Sequence, residues 1–185
     1  MPHWLAFKHL LQYLKSSSSL SIVFGGHSLD LITYTDADYA YFKDTQRLVT
    51  GYMTMIGISF INWKGKKQEN VSNSSCEAEY KAQFEGMKDL ISTVVLLKDR
   101  NVLSAYPLEL KGDNQGAIAL AHNPQVHEKT KHFDTVLHCN QKMIQLRNID
   151  ITYIPTGEIP ADRLTKSLPQ PEHEKFMNKL CLMVQ

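Results

Sequence analysis

Partway along this chain the rhythm of apolar residues changes from strand-like to helical, and that change limits the kind of sheet it can build. Three strand-like stretches, LITYTDAD (31–38), TGYMTMIG (50–57) and ISFINWK (58–64), follow one another with only turn residues or a polar loop between them. They are rich in Ile, Thr, Tyr and Phe, residues that suit a pleated, half-buried surface. The later strand-like segments, LELKGD (108–113) and IDITYIP (149–155), are each reached through helical sequence. Hairpin neighbours pair antiparallel, whereas strands joined by a helical crossover pair parallel. The pattern predicts an α/β domain with a mixed five-stranded sheet, three strands antiparallel and then two parallel, flanked by helices.

The helices carry their own signals. Ser74-Ser75-Cys76-Glu77 has the S-x-x-E spacing of a capping box, and the periodic run behind it extends to about Leu97. NQGAIALA (114–121) reads as a short helix stopped by Asn123-Pro124, and a third covers Thr130 to Leu146. IPADRLTKSL (159–168) opens another, and PEHEKFMNKLCLMV, after Pro169, reads as a final amphipathic helix. At the other end residues 3–15 predict a helix with Trp4, Phe7, Leu11 and Leu14 on one stripe. Ser16 to Ser19 break it, and Leu20–Phe24 suits a short strand before Gly25-Gly26. The chain divides into an N-terminal segment (1–28), a central domain (29–168) and a tail (169–185).

Composition narrows the function. The 185 residues hold 20 Lys plus Arg against 19 Asp plus Glu, a net charge of +1. That excludes a generally basic nucleic-acid coat protein and leaves local patches as the means of binding nucleic acid. No run of about 18 apolar residues exists, so no membrane span is expected. Three cysteines, Cys76, Cys139 and Cys181, form no motif and suit a reducing, intracellular compartment. His122, His127, His132 and His138, with Cys139, lack the close ligand pairs of a zinc site.

The acids are more informative. Asp36 lies at the carboxyl end of the first long strand and Asp113 at that of the fourth, the edge where α/β folds build sites. Glu79 sits near the start of the long helix and Asp162 near the start of the late one. Taken singly, Asp113 can be an N-cap, Asp162 a dipole-complementing acid and Glu77 a capping-box residue. Taken together, four converging carboxylates repel unless cations separate them. Two hard divalent ions about 3.5–4 Å apart do so and are suited to phosphodiester hydrolysis.

YTDADYA, TGYM, INWKGKKQ, SSCEAEYKA, GDNQGAIALAHNP, TKHFD and YIPTGEIPADRLTK, in this order, resemble the ribonuclease H domain of copia-type retrotransposon Pol polyproteins. HWLAFKHLLQYLKSSSSLSIVF resembles the segment that joins the reverse transcriptase to that domain. The resemblance implies a ribonuclease H-like fold and a metal-dependent endonuclease that cuts the RNA strand of RNA–DNA hybrids during reverse transcription. It implies Asp36, Glu79, Asp113 and Asp162 as catalytic and metal-holding residues. Two Mg2+ ions are the implied cofactor, with Mn2+ as a substitute. It also implies the reverse transcriptase domain of the same polyprotein as partner, and a cytoplasmic particle or the nucleus as location. PTGEIP has no histidine, where many cellular ribonucleases H carry one, and Gln46-Arg47-Leu48 replaces an RRS-like stretch. The chain reads as a polyprotein fragment or a stranded genomic copy. A decayed or domesticated RNA–DNA binding module is the alternative.

Lys64, Lys66 and Lys67, beside Trp63 and Gln68, form a basic patch suited to a phosphate backbone. Asn114 and Gln115 open a helix where amides can meet nucleic-acid oxygens, and Lys129 and Lys131 offer a second basic point.

Overall fold

The computed structural model describes residues 2–25, 28–38, 48–68, 72, 74–102, 108–123, 134–147, 149–166, 168–180 and 182–184. Its elements run α1 (Pro2–Ser16), β1 (Leu20–Ile22), β2 (Leu31–Asp38), β3 (Val49–Ile56), β4 (Ser59–Lys67) and α2 (Ser75–Asp99). They continue with β5 (Leu108–Gly112), α3 (Gln115–His122), α4 (Asp134–Arg147), β6 (Ile149–Tyr153), a 3-10 turn (Thr156–Glu158), α5 (Asp162–Thr165), α6 (Gln170–Lys179) and β7 (Leu182–Val184).

The main sheet has the order β4-β3-β2-β5-β6. β2, β3 and β4 pair antiparallel, while β2–β5 and β5–β6 are parallel, as the crossovers require. A two-residue turn joins β3 to β4, and Gly57 takes the positive φ (57°) that its first position demands. β2, in the middle, pairs with β5 through Ile32–Tyr34 and with β3 along its whole length, so its carboxyl end is held from the β3 side.

α2 crosses one face of this sheet. Ser74 Oγ accepts the Glu77 backbone N–H at 3.1 Å, the N-cap anticipated from the sequence. At the far end Asn101 turns left-handed (φ 55°), with Asn101 N–H bonded to Lys98 O and Val102 N–H to Leu97 O, a Schellman closure. Tyr80, Met87, Leu90 and Val94 of α2 pack with Leu31, Leu108, Leu110, Ile149 and Ile151 of the sheet and with Ala117 and Ala121 of α3. Truncating Leu90, which has no exposed surface, would cost about 2–5 kcal/mol. The opposite face is covered by α5 and α6: Phe176 and Leu180 pack on Met53 and Phe60.

Three expectations change. The tail is helical only to Lys179; Leu182–Val184 instead pairs antiparallel with Leu20–Ile22. A short apolar run takes whichever backbone partner is on offer, and β1 supplies one from the other end of the chain. The late helix shrinks from 159–168 to the single turn Asp162–Thr165, because Lys166 is already extended and Pro169 blocks continuation. β4 runs on to Lys67, beyond the expected end at Lys64, so Lys66 and Lys67 also lie in the strand. The N-terminal helix forms as expected; Trp4, Phe7, Leu11 and Leu14 on its stripe are all exposed among the described residues, and it meets α6 through Tyr13 on His173.

Candidate active site

β2 and β5 are parallel neighbours, so the residues that end them arrive at the same sheet edge. Asp36 arrives there on β2 and Asp113 directly after β5; Glu79 comes from the first turns of α2. One carboxylate oxygen from each of the three lies within 4.8 Å of the other two. Asp36 and Glu79 are buried, and Asp113 is half-buried.

Local hydrogen bonds explain why these acids point inward and others do not. Asn114, not Asp113, caps α3, its Oδ1 accepting the Ala117 N–H at 2.9 Å. Asp113 is thereby released from capping and accepts a hydrogen bond from Thr156 Oγ1 at 2.6 Å. Glu77 is drawn aside by Lys81, 2.7 Å away on the next turn of α2. Glu79, two residues on, is left to face the cluster and accepts a backbone hydrogen bond from Ala37.

Asp162 stands beside the three-acid group rather than within it. Its carboxylate is hydrogen-bonded by Lys166 Nζ, with Arg163 Nε 4.0 Å off. The neighbouring Thr165 donates to Asp36 Oδ2 at 2.6 Å and sits 3.0 Å from the Asp162 carbonyl. One short turn thus touches both ends of the acid set.

The electrostatics carry the mark of crowding. Burial, reinforced by Asp162 and Asp113 and opposed by the Thr165 hydrogen bond and Lys166, pushes the Asp36 carboxyl up to about 6. Burial, then the charges of Asp36 and Asp113, pushes Glu79 up to about 9 against the Ala37 hydrogen bond and Lys166. Partial burial works to lower the Lys166 ammonium, but the Asp162 hydrogen bond and the nearby acids raise it overall. A site that protonates itself in this way is short of positive charge. Its donors are hard oxygens, the set that fits a hard divalent cation.

The remaining sequence-predicted residues lie elsewhere. Lys64, Lys66 and Lys67 line a cavity of about 230 Å³ between β3–β4 and α2, together with Tyr52, Lys81 and Phe84. Asn114 is the α3 cap and Gln115 its exposed first residue. Lys129 and Lys131 fall outside the described residues, as do His127 and His132. His122 Nε2 lies 3.1 Å from Ile151 O, and His138 and Cys139 are exposed. Sequence reasoning missed Thr165, Lys166 and Thr156. Only Lys166 left a trace, four residues after Asp162 on an expected helix.

These strands, this order and this edge define the ribonuclease H fold. The RNase H domain of Rv2228c from Mycobacterium tuberculosis superimposes with a TM-score of 0.55 at 13% identity, covering 75% of this chain and 91% of that one. LC11-RNase H1, solved in complex with an RNA/DNA hybrid, gives 0.51 at 16% identity over 73% of this chain and 93% of its own. Within that fold the chain's relatives are retrovirus-related Pol polyproteins of plant transposons, which is consistent with a copia-type ribonuclease H region. It is 36% identical over 172 residues to the polyprotein of transposon TNT 1-94 from Nicotiana tabacum, covering 93% of this chain and 13% of the relative. For that of transposon RE2 from Arabidopsis thaliana the figures are 32% over 179 residues, 96% and 12%. The chain thus spans about an eighth of the length of these relatives. No family model matches it.

Proposed function

We propose that this chain is a metal-dependent endonuclease that hydrolyses the RNA strand of RNA–DNA hybrids, acting in a retrotransposon Pol setting during reverse transcription. The observation that carries the reading is the convergence of Asp36, Glu79 and Asp113 at one buried edge, two of them held above their ordinary carboxyl values. Asp36, Glu79 and Asp113 would hold divalent ions, two of them, with Asp162 joining once Lys166 releases it. Bound there, Mg2+ or Mn2+ supplies Lewis acidity and neutralises charge on a phosphodiester.

The chain's own residues do the rest. Thr165 fixes the rotation of the Asp36 carboxylate and Thr156 that of Asp113, so both present oxygens in a set geometry. Lys166 shields the cluster from its own repulsion. Lys64, Lys66 and Lys67 would contact the hybrid backbone, aided by Asn114, Gln115, Lys129 and Lys131. The reverse transcriptase of the same polyprotein is the natural partner, because it would raise the local concentration of hybrid. The setting is intracellular, in a cytoplasmic particle or the nucleus; among the described residues no helix is long and apolar enough to cross a membrane.

The test is incubation of the purified chain with a labelled RNA–DNA hybrid, with Mg2+ or with chelator. Metal-dependent loss of the RNA strand supports the reading. Binding without cleavage under both conditions would favour a decayed binding module.

A further inference from the structure

Asp36, Gly51 and Gly65 occupy one register row across β2, β3 and β4, with Asp36 opposite Gly51 and Gly51 opposite Gly65. Neither glycine has a left-handed backbone, so conformational freedom does not explain them. Space does. A Cβ on Gly51 would lie 2.7 Å from Thr165 Cγ2 and 2.8 Å from Ala161 O, where ordinary contact begins at 3.4 Å. A Cβ on Gly65 would lie 2.9 Å from Leu164 O. Two of these three contacts are backbone atoms that no rotamer change can move.

The element resting on this bare patch is α5, a single turn of four residues. A turn that short has no stability of its own and takes its position from what it packs against. Ala161, Asp162 and Thr165 are nonetheless buried, and the Thr165 hydroxyl reaches Asp36 at 2.6 Å.

We propose that the Gly51–Gly65 pair is the positioning platform of the acid cluster. By omitting two side chains, it lets α5 lie directly on the sheet, which delivers Thr165 to Asp36 and holds Asp162 beside the cluster. A methyl group on Gly51 lifts α5, parts Thr165 from Asp36 and withdraws Asp162. The effect reaches the metal-holding oxygens without touching any acid. This role rests on the nuclease reading for its chemical consequence, though not for its geometry.

The experiment compares the full chain with Gly51→Ala, Gly65→Ala and the double variant Gly51→Ala/Thr165→Ser. Gly25→Ala is the silent control, since nothing lies within 4 Å of a Cβ there. Ile149→Val, in the main core, supplies a loss of stability unrelated to α5. Mn2+ affinity is measured by calorimetry, and hydrogen exchange is followed at the Arg163 and Leu164 amides, which bond Pro160 O and Ala161 O. Kinetics on a hybrid separate kcat from KM. Gly51→Ala should weaken Mn2+ about 10–100-fold, as loss of a supporting shell does. It should also lower kcat with KM little changed, and release the two α5 amides. Thr165→Ser in the same chain removes the nearest clashing methyl but keeps the hydroxyl, and should recover part of the affinity. Wild-type affinity and protection in Gly51→Ala overturn the proposal. So does a loss no larger than that of Ile149→Val at equal thermal stability. If the unaltered chain neither binds Mn2+ nor cleaves, while Gly51→Ala still frees the α5 amides, the platform stands and the nuclease reading falls.

Discussion

Thr165 donates its hydroxyl hydrogen to Asp36 Oδ2 at 2.6 Å, a bond between residues 129 positions apart in the chain. It ties the single turn α5 to the central strand, and it is the hydrogen bond that opposes the burial-driven rise of the Asp36 carboxyl.

Removing that donor tests its worth. Thr165→Val keeps the shape but leaves a buried oxygen unpaired, which costs about 1–3 kcal/mol. Thr165→Ser should regain most of this. Urea unfolding at pH 8 measures both, and carboxyl NMR should show Asp36 titrating higher in the valine variant than in the parent.

Without metal, stability should fall as pH rises. Asp36 moves from 3.8 unfolded to about 6 folded, and Glu79 from 4.5 to about 9. Both are raised, so their contribution is complete below about pH 4 and is lost as pH climbs through 6 and then towards 9. Calorimetry in chelator from pH 5 to 9 should show Tm falling, with Mg2+ restoring it most at the alkaline end. Glu79→Gln in chelator should be more stable than the parent at pH 8. A parent Tm that is flat over this range, or a Glu79→Gln chain less stable at pH 8, would contradict the electrostatic account.

The two glutamates should separate cleanly. Glu79→Gln and Asp113→Asn should each abolish hybrid cleavage while circular dichroism stays native. Glu77→Gln weakens the buried pair with Lys81, and should cost about 1–3 kcal/mol with little loss of activity. Asn114→Ala, which removes the α3 cap, should cost about 0.5–2 kcal/mol. Equal activity losses in Glu77→Gln and Glu79→Gln would mean that the wrong glutamate has been placed in the cluster.

The basic cavity should govern salt dependence rather than chemistry. Lys66→Ala should weaken hybrid binding about equally for all sequences and reduce the log–log salt slope by about 1. Fluorescence anisotropy across a salt series, alongside kcat at saturating hybrid, makes the comparison. An unchanged slope would remove Lys66 from the interface.

Residue order alone determined the mixed sheet, because strand-to-strand turns force antiparallel pairing and helical crossovers force parallel pairing. It also placed Asp36 and Asp113 at the carboxyl ends of two strands, which the sheet order then made neighbours, and Ser74 as the cap that sets the register of Glu79. These are local or topological properties, written in spacing and residue type. Tertiary contact decided the rest. Thr156, which approaches from the turn beyond β6, gives the non-capping Asp113 a hydrogen-bond donor from a distant stretch of the chain. The Leu182–Val184 run became a strand because Leu20–Ile22 offered its edge. Gly51 and Gly65 lie in different strands, and their shared purpose exists only once α5 rests on both. Packing distances of this kind depend on residues far apart in the chain, and no window of sequence contains them.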